Sequence, residues 1–371
     1  MKQYRRYREK LIFLMTAGAI GIILLVIGGY QLLEFTDSTA FCGRLCHDVM
    51  YPEYTAHQAS PHSRVSCSEC HVGSGADYLV RSKVSGTPML FNTLAGIYHR
   101  PIRTPVENLR PARETCEQCH RPDRFAGDLV RVHTTYDIDE ANTEQVDTRV
   151  LRVGGGELET ARDIHWHIAA RVWYVPLDRE RQEIAWVGVE DTDAQLTEYI
   201  DPQRHSEITA ELIEGERRLM DCMDCHNRAT HIFNSPEELV DAALAQGKID
   251  RELPYIKREA LEALEPPSLS LAEANARAED IKEFYRANYT TIYNEKVTVI
   301  EQTVEEVKEI ARLTTFPHMK VSWETYIDNS SHLESPGCFR CHGKLVEAIS
   351  DEKEGEVINA DCDFCHYFEL E

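Results

Sequence analysis

The sequence predicts a mainly α-helical chain carried on one N-terminal transmembrane helix and interrupted by a small antiparallel β insertion. Three observations predict it. Residues Leu11 to Leu33 carry no charge over 23 positions. Six short segments each place histidine directly after the second of two cysteines. Between the third and fourth of these segments, from about residue 130 to 200, β-branched and aromatic residues alternate, whereas later runs rich in Glu, Ala and Lys read as helix.

As helix, the uncharged run is about 34 Å long, enough to cross a bilayer core. Ahead of it Lys2, Arg5, Arg6, Arg8 and Lys10 stand against Glu9, a net of +4; Glu34 and Asp37 follow it. This asymmetry puts the N-terminus in the cytoplasm and everything from about Thr36 outside, the topology of a single-pass protein of a bacterial inner (cytoplasmic) membrane with a periplasmic domain. The rival is a cleaved signal peptide, but the run is long for one and no small-x-small site ends it. Ala17 and Gly21 form a small-xxx-small pair of the kind that dimerises helices, a weak pointer to an oligomer.

Two thiols followed by an imidazole form the covalent haem-c signal: the thiols add to the porphyrin vinyl groups and the histidine ligates iron from one face. The signature occurs at Cys67/Cys70/His71, Cys116/Cys119/His120, Cys222/Cys225/His226, Cys338/Cys341/His342 and Cys362/Cys365/His366. Cys42/Cys46/His47 has one extra residue between its thiols. All twelve cysteines are thereby used, two per motif. Zinc ribbons and thioredoxin-like sites also use such pairs, and a disulfide framework needs even numbers, but neither accounts for six adjacent histidines. The fold class is therefore a mainly α multihaem cytochrome c with an anchor helix and a small antiparallel β insertion, holding six haem c.

Six porphyrins in 371 residues leave about 62 residues for each. With 8% aromatics, much of the interior has to come from macrocycles, so the haem-free polypeptide is expected to be largely unfolded. The formal charge of −23 becomes −27 beyond residue 10, which argues against nucleic acid and favours a basic or haem-exposing protein partner.

Residues 1–10 read as a basic tail, 11–33 as the anchor, 36–129 as a domain holding three motifs and 130–205 as the β insertion. The remainder divides into the fourth-motif segment 206–234, a helical region 235–315 and a C-terminal two-motif segment 316–371. Pro111 opens a short helix for the third motif. Strands are expected over Val146–Val153, Ile164–Val175 and Gln182–Val189, broken by Gly154–Gly156 and by Pro176-Leu177-Asp178. Ser235 with Pro236 and Glu238, and Ser270 with Glu273, are helix-opening signals. Leu271 to about Leu313 reads as two helices meeting near Thr290 or Thr291, and Glu352 to Gly355 as a charged loop.

Ten histidines lie outside the motifs, more than six irons need for a second axial imidazole. His62 lies five residues before Cys67, His231 five after His226 and His332 six before Cys338; these are candidate distal ligands, with His133 beside them. In the strand reading, His165 and His167 share one face with Trp166 on the other, one a ligand and the other a propionate cap. Met50, three after His47, is either a thioether ligand that raises the haem potential or a packing residue. His57, His99, His205 and His318 carry no assignment.

The anchor, then CHDVMYPEYTAHQASPHSRVSCSECH, then Lys83 twelve residues after His71, then CEQCH and CMDCHNRATH, resemble the NapC/NirT family of membrane-anchored quinol dehydrogenases over residues 1–125 and 216–234. The resemblance implies menaquinol or ubiquinol as donor at the haem nearest the membrane, Met50 as its axial ligand and Lys83 in the quinol pocket. It also implies His231 as ligand of the second haem and His62 of the fourth. The wider first motif, the β insertion and the two C-terminal motifs depart from the family pattern.

Three functions follow. The first is a quinol dehydrogenase that passes electrons through a haem chain to a periplasmic redox protein or multihaem cytochrome. The second is a relay tethered to another membrane complex, without a quinol site. The third, a terminal reductase of a small oxyanion or nitrogen compound, is disfavoured because all six motifs end in histidine, whereas an open catalytic haem often has lysine there.

Overall fold

The uncharged run folds as part of a longer helix, α1 (Lys2–Thr36), exposed along its length as a lipid-facing segment must be. The computed structural model describes residues 2–45, 47–73, 75–106, 110–124, 127–157, 160–191, 193–265, 270–333, 335–350 and 353–368. Cys46 and the His47 side chain of the first motif lie outside this description, as does Glu352.

After α1 the chain makes a π-helical turn (Phe41–Leu45) and enters α2 (His47–Ala59), then α3 (Cys67–His71), α4 (Ala76–Ala95) and α5 (Ala112–Cys116). Pro111 is the residue before α5, as its fixed φ suits. A hairpin of β1 (Leu129–Tyr136) and β2 (Glu144–Leu151) follows, then α6 (Trp166–Ala169). Strands β3 (Arg171–Pro176), β4 (Ile184–Glu190) and β5 (Leu196–Ile200) lead through α7 (Ala210–Glu216) and β6 (Arg218–Leu219) to α8 (Cys222–Cys225).

The expected strand over Ile164–Val175 therefore begins only at Arg171, and His165 and His167 sit at a helical turn instead of alternating along a strand. Nor is the β region closed on itself. β7 (Val346–Ser350) and β8 (Lys353–Val357), where a charged loop is expected, extend a six-stranded antiparallel sheet of order β6-β3-β4-β5-β7-β8. β9 (His366–Phe368), directly after α14 (Cys362–Cys365), pairs with β2, Leu151 opposite His366. The C-terminal segment thus contributes three strands to what reads in sequence as an insertion.

The conventional core lies elsewhere. Helices α9 (Pro236–Ala245), α10 (Ile256–Leu264), α11 (Leu271–Asn288), α12 (Thr290–Glu295) and α13 (Val297–Thr314) bury Val240, Leu253, Ile256, Ile281, Ile300, Val304 and Val307 together with Tyr136 of the hairpin. Ser235 and Ser270 cap α9 and α11 through capping boxes with Glu238 and Glu273. The single break expected near Thr290 is two breaks, at Tyr289 and Lys296. Lys257, 2% exposed, donates to both Asp241 oxygens at 2.9 and 3.0 Å and to the Tyr136 carbonyl at 2.5 Å. A smaller cluster, Val49, Phe316, Met319 and Val321, ties the end of this unit to α2.

Candidate haem line and membrane-face site

The second, fourth and sixth motifs carry both cysteines on a turn of α-helix; the third has Cys116 at the end of α5 and Cys119 in the turn that follows, and the fifth has Cys338 on a 3₁₀ turn, Gly337–Arg340, with Cys341 directly after it. A helical i, i+3 spacing turns both thiols to one side. The thiols lie in chain order. Cys67 lies beside Cys42, Cys70 near Cys119, Cys116 beside Cys222, Cys225 near Cys338 and Cys341, and Cys365 near Cys338. Neighbouring motifs are clamped to one another as well. Asp221 caps α8 through the Met223 N–H at 2.8 Å and accepts from the Ala112 N–H of α5 at 3.4 Å. Arg340 of the fifth motif, buried, donates to the Asp224 carbonyl of the fourth at 2.6 Å, while the Asp224 carboxylate accepts from Tyr174 and Arg181 at 2.5 and 3.1 Å. Gly337 has φ +50°, and a Cβ there would meet the Ser331 carbonyl at 2.3 Å; glycine lets the fifth motif close on the backbone leading to His332.

Imidazoles face one another across these motifs. Ring centroids are separated by 6.3 Å for His71 and His231, 6.0 Å for His120 and His62, 5.8 Å for His342 and His167, and 6.1 Å for His366 and His332. His165 lies within electrostatic range of His226. A metal with nitrogen ligands at about 2 Å on opposite sides separates the two ring centroids by about 6 Å, so the spacing fits an iron between them.

The ring nitrogens fit too. His231, His167 and His342 donate from Nδ1 to the carbonyls of Glu53, Ile164 and Asn359 at 3.0, 2.8 and 2.5 Å. A carbonyl only accepts, so in each the Nε2 keeps a lone pair, the tautomer a metal ligand needs. Burial favours neutral His71, His167 and His226, and it brings His231 down to about 3, helped by the Arg228 charge. His62 Nδ1 is buried with no hydrogen-bond partner among the described residues. His57, 6.5 Å from His231, is different: its Nε2 donates to Val65 O at 3.0 Å and its Nδ1 accepts from Gln58 at 3.2 Å, so both nitrogens are occupied.

Against the sequence expectations, His62 faces the third motif, not the fourth. His133 shares a sheet face with His366 but is exposed, four residues further along β1 and opposite Asp147. Met50 packs on the Val49, Phe316 and Met319 cluster. Spacing along the chain could not have paired His62 with His120, since the partner is set by how α3 meets α5.

At the foot of the anchor, Lys83 on α4 donates to Thr36 Oγ1 at 2.8 Å and forms an ion pair with Asp37. The rest of α4 turns apolar side chains outward: Val84 is 69% exposed, Phe91 66% and Leu94 80%. Beside the pair is a cavity of about 420 Å³ lined by Asp37, Ser68, Glu69, Val72, Gly73, Gly75, Leu79 and Gln118. Ser68 and Glu69 are the two residues between Cys67 and Cys70, so the second motif itself forms a wall. Sequence reading singled out Lys83 and missed Asp37, whose only signal is that it is one of the two acids, with Glu34, that directly follow the anchor on the outer side.

A family model described as NapC/NirT cytochrome c family, N-terminal region, matches residues 5–103. The chain is 42% identical over 361 residues to the cytochrome c-type protein ImcH of Geobacter sulfurreducens, covering 97% of this chain and 70% of that protein. No solved structure matches.

Proposed function

Because this chain belongs to the NapC/NirT family of c-type cytochromes, we propose that it oxidises membrane quinol and passes the electrons to a periplasmic acceptor protein. Haem c is covalently bound and α1 is the membrane anchor. In this reading there are six haems, one at each motif, and the N-terminus lies in the cytoplasm. The residue pairs that would hold the haem irons are His71 with His231, His120 with His62, His226 with His165, His342 with His167 and His366 with His332. At the first motif His47 is the attached ligand and Met50 the candidate opposite it. The bound haems supply one-electron acceptance; the chain holds them in line and presents the quinol at the membrane face.

One observation carries the quinol reading: a cation–carboxylate pair at the membrane exit of the anchor, beside a cavity walled by a haem motif and next to an apolar exposed helix. Such polar groups at a membrane boundary are placed to bind a quinol head while its tail stays in lipid. The acceptor is a redox protein or multihaem cytochrome, and the acidic outer region favours a basic contact surface on it.

The test is reduction of the purified holoprotein in liposomes by menaquinol and ubiquinol analogues, followed at the haem absorption bands. Reduction within seconds to minutes is expected. Reduction by a small chemical reductant but by neither quinol would overturn the reading in favour of a tethered relay.

A further inference from the structure

We propose that Asp37, not Lys83, is the group that faces the quinol and takes its first proton, and that Lys83 is a positioning residue that holds the Asp37 carboxylate in place. The inference rests on the quinol reading above and assigns its chemistry. Asp37 is among the residues lining the cavity; Lys83 is not. Lys83 reaches Asp37 from α4 and spends a second donor on Thr36 Oγ1, so one of its three N–H bonds is left. A cation in that arrangement is an orienting partner, not a free donor to substrate. The carboxylate it holds is paired with Lys83 through Oδ1 and belongs to the cavity lining, so its second oxygen is the one assigned to meet the substrate O–H as a general base.

The surrounding cavity suits a quinol head. Its volume of about 420 Å³ lies in the range of small-molecule sites. Leu79 and Val72 give it apolar wall, while Ser68 and Gln118 add hydrogen-bonding groups for the far oxygen of the ring. Asp37 puts the cavity at the foot of α1, and Val80 and Val84 of the neighbouring α4 are exposed, so an isoprenoid tail can stay in lipid.

The chemistry balances with quinol as the reductant. Both O–H bonds of the quinol break and the quinol becomes quinone, its two electrons leaving one at a time; haem c, when bound, would supply the one-electron acceptors, each cleared by the periplasmic acceptor before the next turnover. The first proton moves to Asp37 Oδ2, and the second leaves to water through the cavity mouth. Lys83 and Thr36 keep the carboxylate fixed throughout, so the base meets each new quinol in the same place.

The experiment compares Asp37→Asn, Asp37→Glu, Lys83→Met and Lys83→Arg holoproteins in liposomes. Readouts are haem reduction by a menaquinol analogue and binding of a fluorescent hydroxyquinoline N-oxide, measured by quenching. Asp37→Asn is expected to bind the probe within about threefold of wild type yet to be reduced by quinol about 10²-fold more slowly, the loss of a general base. Asp37→Glu recovers most of that rate. Lys83→Met slows quinol oxidation about tenfold and Lys83→Arg restores it, because the ion pair is kept. All four are reduced by dithionite at the wild-type rate.

Wild-type speed with quinol in Asp37→Asn overturns the assignment while leaving the quinol reading intact. A wild-type protein that neither binds the probe nor is reduced by quinol overturns the quinol reading itself. Should Asp37→Asn lose haem, the Lys83 pair decides: Lys83→Met as fast as Lys83→Arg overturns the proposal.

Discussion

The helical unit of residues 236–314 and the haem-bearing remainder are built on different principles. In the helical unit α9, α10, α11 and α13 interlock fully buried Ile, Leu and Val side chains, and Lys257 is satisfied by Asp241 and a carbonyl. It contains no cysteine and no histidine. Around the motifs the buried apolar clusters are small, and the recurring contacts are imidazole to imidazole, arginine to carbonyl and carboxylate to amide. Polar brackets of this kind fix geometry but contribute little net stability each, about 1 kcal/mol. On the proposed reading, porphyrin fills the space between paired imidazoles and makes that half compact. Part of the chain therefore owes its fold to side chains and part to its cofactors.

The largest consequence appears when haem attachment is prevented. Amide hydrogen exchange on haem-free protein is expected to show lasting protection in α9–α13 and near-complete exchange in α3, α5, α8 and α14. Equal protection in both would erase the contrast. Lasting protection in α9–α13 would narrow the largely unfolded apoprotein expected from composition to the haem-bearing segments.

Substitutions inside the helical unit come next. Lys257→Met leaves Asp241 buried without its cation, which should cost about 3–5 kcal/mol. Ile256→Ala, fully buried, should cost about 2–5 kcal/mol. Thermal melting of the holoprotein followed by far-ultraviolet circular dichroism checks both, and covalent haem content should stay at the wild-type value. Loss of haem in either variant would mean that the two halves fold as one.

Acid should separate the halves more gently. His231 is held at about 3 by burial, below its ordinary value near 6.5. A group whose folded pKa is depressed in this way binds its proton more readily when unfolded, so its neutral burial destabilises the fold as pH falls below 6.5, by up to about 1.4 kcal/mol per pH unit. Iron ligation acts in the same direction, since a ligand must be deprotonated. The Soret band should therefore shift between pH 6 and 4 before the helical signal falls, and simultaneous loss would contradict the comparison.

How far the sequence foretold all this depends on range along the chain. The anchor, the attachment cysteines and the Ser235 and Ser270 caps are local codes, read within a few residues. Pairings across the fold are not local. Nothing within reach of Lys83 names Asp37 46 positions earlier, and nothing near His366 announces that it will join the edge of β2. The alternation around His165 looks like a strand because His-Trp-His mimics period two, but the Asp163 turn at φ +62° directs the chain into a helical turn first. The family motif, too, read His62 onto the fourth haem, while the packing of α3 against α5 turns it to His120.

The central claim is a line of haem irons held between imidazoles contributed by distant segments. Near-infrared magnetic circular dichroism of the oxidised holoprotein tests it most directly, since two-imidazole, imidazole–thioether and high-spin irons absorb in separate regions. The account predicts five irons with two imidazoles, and a sixth, at the first motif, that is low-spin with imidazole and thioether if Met50 ligates. High-spin bands at more than one centre would contradict it and bring back a reductase with open haem sites.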